Sequence, residues 1–275
     1  MVDLFKALET DGMKKALFKY FVELTGHPVS SSLLKSVTSS RFSRKLIKPF
    51  ARTYTINEEE AEFPIEHYDS LQAYFTRNLK QGARPIDFQD EILISPVDGI
   101  LSASGTIERD QTFMIKDYLY SIKQILGDDQ IANVYEGGFF YVFYLSPRDY
   151  HHFHYPYDGK LLSRYALGTT SFPVNDLGLR LGNQPFATNY RLISELSTSH
   201  GKIAMIKVGA LNVNSIHIND SSKECRKGEE FGYFSFGSTV ILLLENKNAF
   251  QSTISTNSEV RLGQSIGEWK LTPRT

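Results

Sequence analysis

The chain has 275 residues, 41% of them hydrophobic and 13% aromatic, enough to bury a sizeable core in one large domain or in a core domain with a smaller accessory segment. Thirty Lys and Arg against 31 Asp and Glu leave a net charge of −1, which carries no signature of a nucleic-acid partner. No stretch approaches the roughly 18 to 20 apolar residues that span a bilayer, and the opening MVDLFKALETDGMKKALFKYF lacks a signal peptide's unbroken apolar run, so the expected setting is cytosol-facing.

Residues 1 to 56 read as helical and basic, with ten Lys or Arg against four acids. Between Met13 and Leu24, Leu17, Tyr20, Phe21 and Leu24 follow three-and-four spacing, while Lys14, Lys15 and Lys19 lie off that stripe. Phe42, Leu46, Ile47 and Phe50 then mix with Arg44, Lys45 and Lys48. The pattern leaves two readings open: surface helices packed on the main domain, or an anchor that holds anionic lipid through apolar burial and charge.

An acidic patch, NEEEAEFPIEHYD, follows, and SLQAYFTRNLKQGARPID predicts a short helix running into a turn at Arg84-Pro85. From Ile92 onward short apolar runs are punctuated by Gly, Pro, Asn and Asp, with one predicted helix in YSIKQILGDD. The expected class is α+β: a mainly antiparallel β core, sandwich or barrel-like, preceded by N-terminal amphipathic helices. Residues 1–60 form the helical basic segment and 61–275 the β-rich domain. The single cysteine, Cys225, cannot form an internal disulfide, and its polar setting SSKECRKGEE reads as an exposed turn.

Three segments carry residues suited to chemistry. Ser95-Pro96-Val97-Asp98-Gly99 is a tight turn on its residue types alone. In YLSPRDYHHFHYP, Ser146, Pro147 and Asp149 match a helix start. A helical turn there would put His151 and His154 on one face, whereas an extended chain would pair His152 with His154. No cysteine lies nearby and the intervals do not match a structural zinc site, so no metal is expected. FSFGSTVILLLE, from Phe234 to Glu245, reads as one strand interrupted by Gly237-Ser238, the kind of interruption that marks a bulge or a close backbone approach. Together the segments offer an Asp, a His and a Ser, the set needed to activate a serine nucleophile.

These segments, with YFTRNLKQGARPID, FATNYRLI and VGALNVNSI, resemble the phosphatidylserine decarboxylases of the bacterial and mitochondrial branch. YFTRNLKQGARPID resembles that family's F-x-R-x-L then R-P-I segment. SPVDG resembles its S-P-x-D-G turn, YLSPRDYHHFHYP its L-S-P-x-D-Y-H-x-x-H-x-P segment, and KGEEFGYFSFGSTVILLLE its G-x-E-x-G-x-F-x-x-G-S-T-V segment. The departures are Phe236, where Leu is commoner, and Asp117, where Gly is often found; neither touches a catalytic position.

The resemblance implies a proenzyme in which Asp98, His154 and Ser238 form a triad that cuts the chain between Gly237 and Ser238. His154 takes the Ser238 proton, Asp98 orients the imidazole, and Gly237 permits a strained backbone open to the attacking oxygen. The resulting ester eliminates to dehydroalanine, which hydrolyses to a covalent pyruvoyl (pyruvate) group. This group would form a Schiff base with phosphatidylserine and drive its conversion to phosphatidylethanolamine and CO2, with His151 as proton donor.

The implied partners are the phosphatidylserine substrate, the anionic membrane surface, the two associated chains 1–237 and 238–275, and a second copy in a homodimer. The implied location is peripheral, on the cytoplasmic face of the cell membrane, with Lys14, Lys15, Lys19, Arg44, Lys45 and Lys48 binding the surface. For Arg77 and Arg84 two roles stay open, structural and substrate-binding, with the structural one favoured. The competing readings are a pyruvoyl decarboxylase of another serine-headgroup lipid and an unprocessed, non-catalytic lipid-binding domain.

Overall fold

The basic segment continues in the computed structural model as a helical turn at 36–39, a 3-10 turn over Arg41–Leu46 and helix α1 over Ile47–Tyr54. The structure describes residues 36–115, 118–170, 172, 174, 184–210, 215–235 and 237–270. Lys14, Lys15 and Lys19 therefore lie outside the described residues, as do Asp117 and Phe236. Helical spacing turns Ile47, Phe50 and Ala51 inward, where they are buried with Ile56, Ile65, Tyr68, Leu71, Tyr74 and Phe75 in a small core. Helix α2 (Leu71–Phe75) starts where Ser70 Oγ accepts the Ala73 N–H at 3.1 Å, satisfying one of the amides a helix start leaves unpaired.

The main domain is built from β1 (Ile92–Ile94), β2 (Gly99–Thr106), β3 (Thr112–Ile115), β4 (Tyr118–Ser121), helices α3 (Ile122–Leu126) and α4 (Asp129–Val134), and β5 (Phe139–Leu145). It continues with β6 (His152–His154), β7 (Gly159–Leu167), helix α5 (Pro185–Thr188), β8 (Arg191–Thr198), β9 (Gly201–Gly209) and β10 (Ile216–Ile218). The chain then adds β11 (Glu224–Cys225), β12 (Glu230–Phe234), β13 (Ser238–Leu244), β14 (Phe250–Ser252), β15 (Glu259–Val260) and β16 (Ser265–Trp269). Eight strands form an antiparallel sheet in the order β11-β7-β8-β9-β13-β5-β2-β15. The β10-β12-β6 and β1-β16-β14 sheets and the β3-β4 hairpin complete the domain.

Period-two alternation feeds both faces of the large sheet. Val240, Leu242 and Leu244 of β13 join Tyr141, Phe143, Met205, Phe153 and Phe231 in one core, while Ile241 and Leu243 join Phe140, Val142, Ile206, Phe113 and Tyr120 in the other. Each of these large side chains contributes roughly 1.5 to 3 kcal/mol through burial, so β13, buried along its whole length, is a stiff central element. The observed class is α+β with mostly antiparallel sheets, as the alternation implies. The large sheet is open, with β11 and β15 at its edges, rather than closed into a barrel.

Three expectations change. FSFGSTVILLLE is two strands in two sheets: β12, ending at Phe234, pairs with β10 and β6, and β13, starting at Ser238, belongs to the large sheet. The helix expected from Ser146 is a turn closed by Asp149, whose Oδ2 accepts both the Ser146 N–H (2.7 Å) and the Ser146 hydroxyl (2.8 Å). It cannot propagate because His152–His154 pair with β12 instead. Cys225 is buried rather than exposed: Cys225 pairs with Gly159 at the edge of the large sheet and its side chain joins the core under β7.

Candidate active site

The register of the large sheet gathers the three sequence segments at one end. Tyr144 of β5 faces Ile100 of β2 on one side and Thr239 of β13 on the other. Asp98, just before β2, Ser238, at the head of β13, and the 146–151 turn that leaves β5 therefore emerge together. His154 N–H donates to Pro96 O at 2.9 Å, tying β6 to the SPVDG turn. Gly99 is required there, because a Cβ on it would lie 2.4 Å from Tyr144 O.

Asp98 is buried and held from two directions. The Arg84 side chain contacts its carboxylate through Nε (2.9 and 3.0 Å) and Nη2 (2.5 Å), and the Leu262 N–H donates to Oδ1 at 2.8 Å. Arg84 Nη2 also reaches Glu60 Oε2 at 2.8 Å, and Glu60 in turn meets Arg261 at 3.1 Å. Arg84 is thus the clamp on Asp98.

His154 is set by a different partner. Its Nδ1 lies 2.9 Å from Gly228 O, and because a carbonyl can only accept, the proton sits on Nδ1 and Nε2 is left as a basic lone pair. Orientation of this imidazole was expected of Asp98; the contact observed is with Gly228 O, while Asp98 acts on the ring through its charge. Burial lowers the proton affinity of His154, with Glu230 and Asp98 opposing that effect.

His151 precedes β6, so it does not share a helical face with His154; strand pleating aligns His154 with His152 instead. It is fully buried, its ring 4.0 Å from that of Phe75, and its Nδ1 is 2.9 Å from Asp149 O. Burial lowers its pKa to about 3, with the Arg77 charge adding to the effect and the Asp149 carbonyl opposing it. A histidine charged in the unfolded chain below pH 6.5 and neutral in the native one costs stability as pH falls from about 6.5 toward 3, and the full native stability is present above that window. Chemical denaturation is expected to show a loss of about 2 to 3 kcal/mol from this residue between pH 7 and 4.5. The pH slope should flatten in His151→Gln; an unchanged slope contradicts the assignment.

Ser238 is fully buried, in register with Leu145 on one side and Gly209 on the other. Ser238 Oγ, His154 Nε2 and His151 Nε2 are all buried without a hydrogen-bond partner among the described residues. Buried polar atoms are nearly always paired, so three orphans at one end of a sheet mark a reactive place. The carbonyl before Ser238, Gly237 O, accepts the Ala210 N–H at 3.1 Å. A Cβ on Gly237 would meet nothing within 4 Å, so no close contact demands a glycine there. What the glycine provides is open space beside the carbonyl carbon.

Sequence reading did not reveal Gly228 O, the Ala210 N–H, the Glu60–Arg84–Asp98 chain or Tyr150, whose ring stacks on His152 at 4.6 Å and lies 5.9 Å from His154. The two backbone groups carry no signal in residue type. The Arg84–Asp98 pair was visible only as two neighbouring motifs. Among the described residues there is no cluster of side chains able to hold a metal, and no helix is long and apolar enough to cross a membrane.

A family model described as phosphatidylserine decarboxylase matches residues 71–268, from α2 through β16. Three relatives are each named phosphatidylserine decarboxylase proenzyme. The one from Halalkalibacterium halodurans is 43% identical over 257 residues, covering 94% of this chain and 99% of its own. That from Geobacillus kaustophilus is 42% identical over 258 residues (94% and 98%), and that from Anoxybacillus flavithermus 45% over 257 residues (93% and 97%). A match that runs through every segment of the site, at this identity and over nearly the full length of the relatives, establishes that the chain belongs to the phosphatidylserine decarboxylase family.

Proposed function

We propose that this chain is a phosphatidylserine decarboxylase proenzyme that cuts itself at Gly237-Ser238 and then converts phosphatidylserine to phosphatidylethanolamine and CO2. The observation that carries the reading is the buried Ser238 Oγ, without a partner among the described residues, next to a Gly237 carbonyl whose oxygen already accepts a backbone N–H. His154 Nε2 takes the hydroxyl proton, and Ser238 Oγ bonds to the Gly237 carbonyl carbon. As negative charge develops on Gly237 O, the Ala210 amide stabilises it. The C–N bond then breaks, the proton passes from His154 to the Ser238 nitrogen, and an ester joins the two halves. Asp98, held by Arg84, favours the charged form of His154 through this sequence.

Loss of the Ser238 Cα proton expels the Gly237 carboxylate, and hydrolysis of the resulting enamine releases ammonia. The residues present fit this origin: one serine supplies all the carbon atoms of the group and no separate cofactor cradle is needed. The pyruvoyl group supplies a carbonyl that takes up the substrate amine and accepts the electron pair released with CO2. His151 enters the second reaction neutral, with Nε2 free to accept. It relays a solvent proton to the carbon that loses CO2. Intact mass together with CO2 release from phosphatidylserine vesicles tests the reading. A chain that matures into two pieces without decarboxylating this lipid would favour another serine-headgroup substrate, and one that stays whole would remove the proposal.

The basic segment is proposed to meet the lipid surface. Phe42 is 86% exposed, and Arg44, Lys45 and Lys48 are exposed around it. The Lys48–Glu66 pair at 2.8 Å is solvent-exposed and too weakly coupled to neutralise the face. Near an anionic membrane each basic residue contributes about 1 kcal/mol, to which burial of Phe42 adds. Changing Arg44, Lys45 and Lys48 to Glu together with Phe42→Ser is expected to weaken binding to anionic vesicles more than tenfold at low salt, while self-cleavage in solution proceeds. Sedimentation that matches the native protein would contradict the assignment.

A further inference from the structure

Beside Asp98, between the end of α1 and the 146–150 turn, lies a cavity of about 170 Å³ whose lining includes Arg77, Arg84, Arg148 and Arg261. Four carboxylates share the lining, and each is already engaged. Asp98 and Glu60 pair with Arg84, Glu60 also with Arg261, and Asp149 and Glu259 pair with Arg148.

Arg77 differs from the other three. It is 4% exposed, and among the described residues no carboxylate lies within ion-pair distance of it. Its Nη2 donates to Arg148 O at 2.8 Å and to Asp149 O at 3.4 Å, and its guanidinium carbon stands 5.3 Å from the centre of the Tyr74 ring. Nε and Nη1, which carry three of the five guanidinium N–H groups, have no acceptor among the described residues. A buried cation with most of its donors unused is costly unless an anion completes it. A guanidinium donates equally well to carboxylate and phosphate oxygens, and because the lining carboxylates are already paired, the anion that completes Arg77 has to come from outside the described residues.

We propose that this cavity is an oxyanion site for a phosphate group, with Arg77 as its charged donor. The phosphate is either the phosphodiester of the lipid headgroup, in which case the site rests on the decarboxylase reading, or the free ion, in which case it does not. The site is mechanically joined to the histidine turn. Asp149 O accepts from both Arg77 and His151 Nδ1, and Tyr150, which also lines the cavity, stacks on His152. An anion on Arg77 would also offset the charge that helps to keep His151 neutral.

The test titrates inorganic phosphate into the full-length protein at constant ionic strength set with chloride, following heat and melting temperature. Saturable binding is expected in the native protein, with affinity about tenfold to a hundredfold weaker in Arg77→Gln and partly recovered in Arg77→Lys. If phosphate raises KM for a short-chain phosphatidylserine without changing kcat, the site takes the headgroup. If it binds without competing, the site takes the free ion.

No saturable binding in the native protein, or equal binding in a folded Arg77→Gln, overturns the proposal. Should Arg77→Gln not accumulate, the native protein labelled at arginine nitrogen decides. Phosphate must shift one protected Nε–H resonance, and a spectrum with none shifted is equally fatal. A chain that binds phosphate but never cleaves itself would instead remove the decarboxylase reading and leave the site standing.

Discussion

A Ser238→Ala chain is expected to stay a single 275-residue polypeptide that releases no CO2 from phosphatidylserine, whereas the native chain matures into pieces of 237 and 38 residues (275 − 237). The size of the effect follows from the chemistry: without Oγ there is no nucleophile for the Gly237 carbonyl, no ester and no route to a carbonyl at the new terminus. The effect on stability should run the other way. Ser238 Oγ is buried without a partner among the described residues, and an unsatisfied buried hydroxyl costs about 1 to 3 kcal/mol, so its removal should leave the fold as stable or more so. Alanine also keeps the backbone bonds of β13 to β5 and β9. Intact mass, thermal unfolding and CO2 release, measured on one preparation, separate the outcomes. Cleavage in this variant would refute serinolysis, and a large fall in melting temperature would mean that Ser238 is structural.

The parts of this arrangement that could be seen in the sequence are those written in side-chain periodicity. FFYVFYL and STVILLL announce buried strands because seven consecutive residues suit a sheet covered on both faces, and they became β5 and β13. The same continuity concealed the change of sheet between Phe234 and Ser238. Phe234 ends one sheet as a core residue and Val240 sits in the next as another, so the apolar pattern runs on across a change of sheet. Residue type offered an Asp, a His and a Ser, and the family resemblance singled out Asp98, His154 and Ser238, but the contacts that hold them could not be read. Gly228 O and the Ala210 N–H are groups that every non-proline residue except the chain ends possesses, and only the fold chooses which ones meet the site. Arg84 reaches Glu60 and Asp98 across 24 and 14 residues of chain, distances over which local pattern is silent.

Replacing His151 by Ala is expected to divide the two reactions: the chain should still mature into two pieces at close to the native rate, while decarboxylation falls by about 10² to 10⁴-fold, the usual contribution of a positioned proton-transfer group. The division rests on where the two imidazoles are tied. His154 is fixed by Gly228 O and the SPVDG turn, whereas His151 is fixed by Asp149 O and the Phe75 ring, so losing one ring leaves the other's supports in place. The deleted ring was buried, and its loss opens a space against Phe75 that should cost about 1 to 3 kcal/mol. Below about pH 6.5 part of that cost is offset, because a histidine that the native state holds neutral has been removed. His151→Gln fills more of the space and separates volume from proton transfer: if it also cleaves but does not decarboxylate, the missing function is the proton. Loss of both reactions in a folded variant would place His151 in self-cleavage, and undiminished decarboxylation would mean that another group returns the proton to carbon.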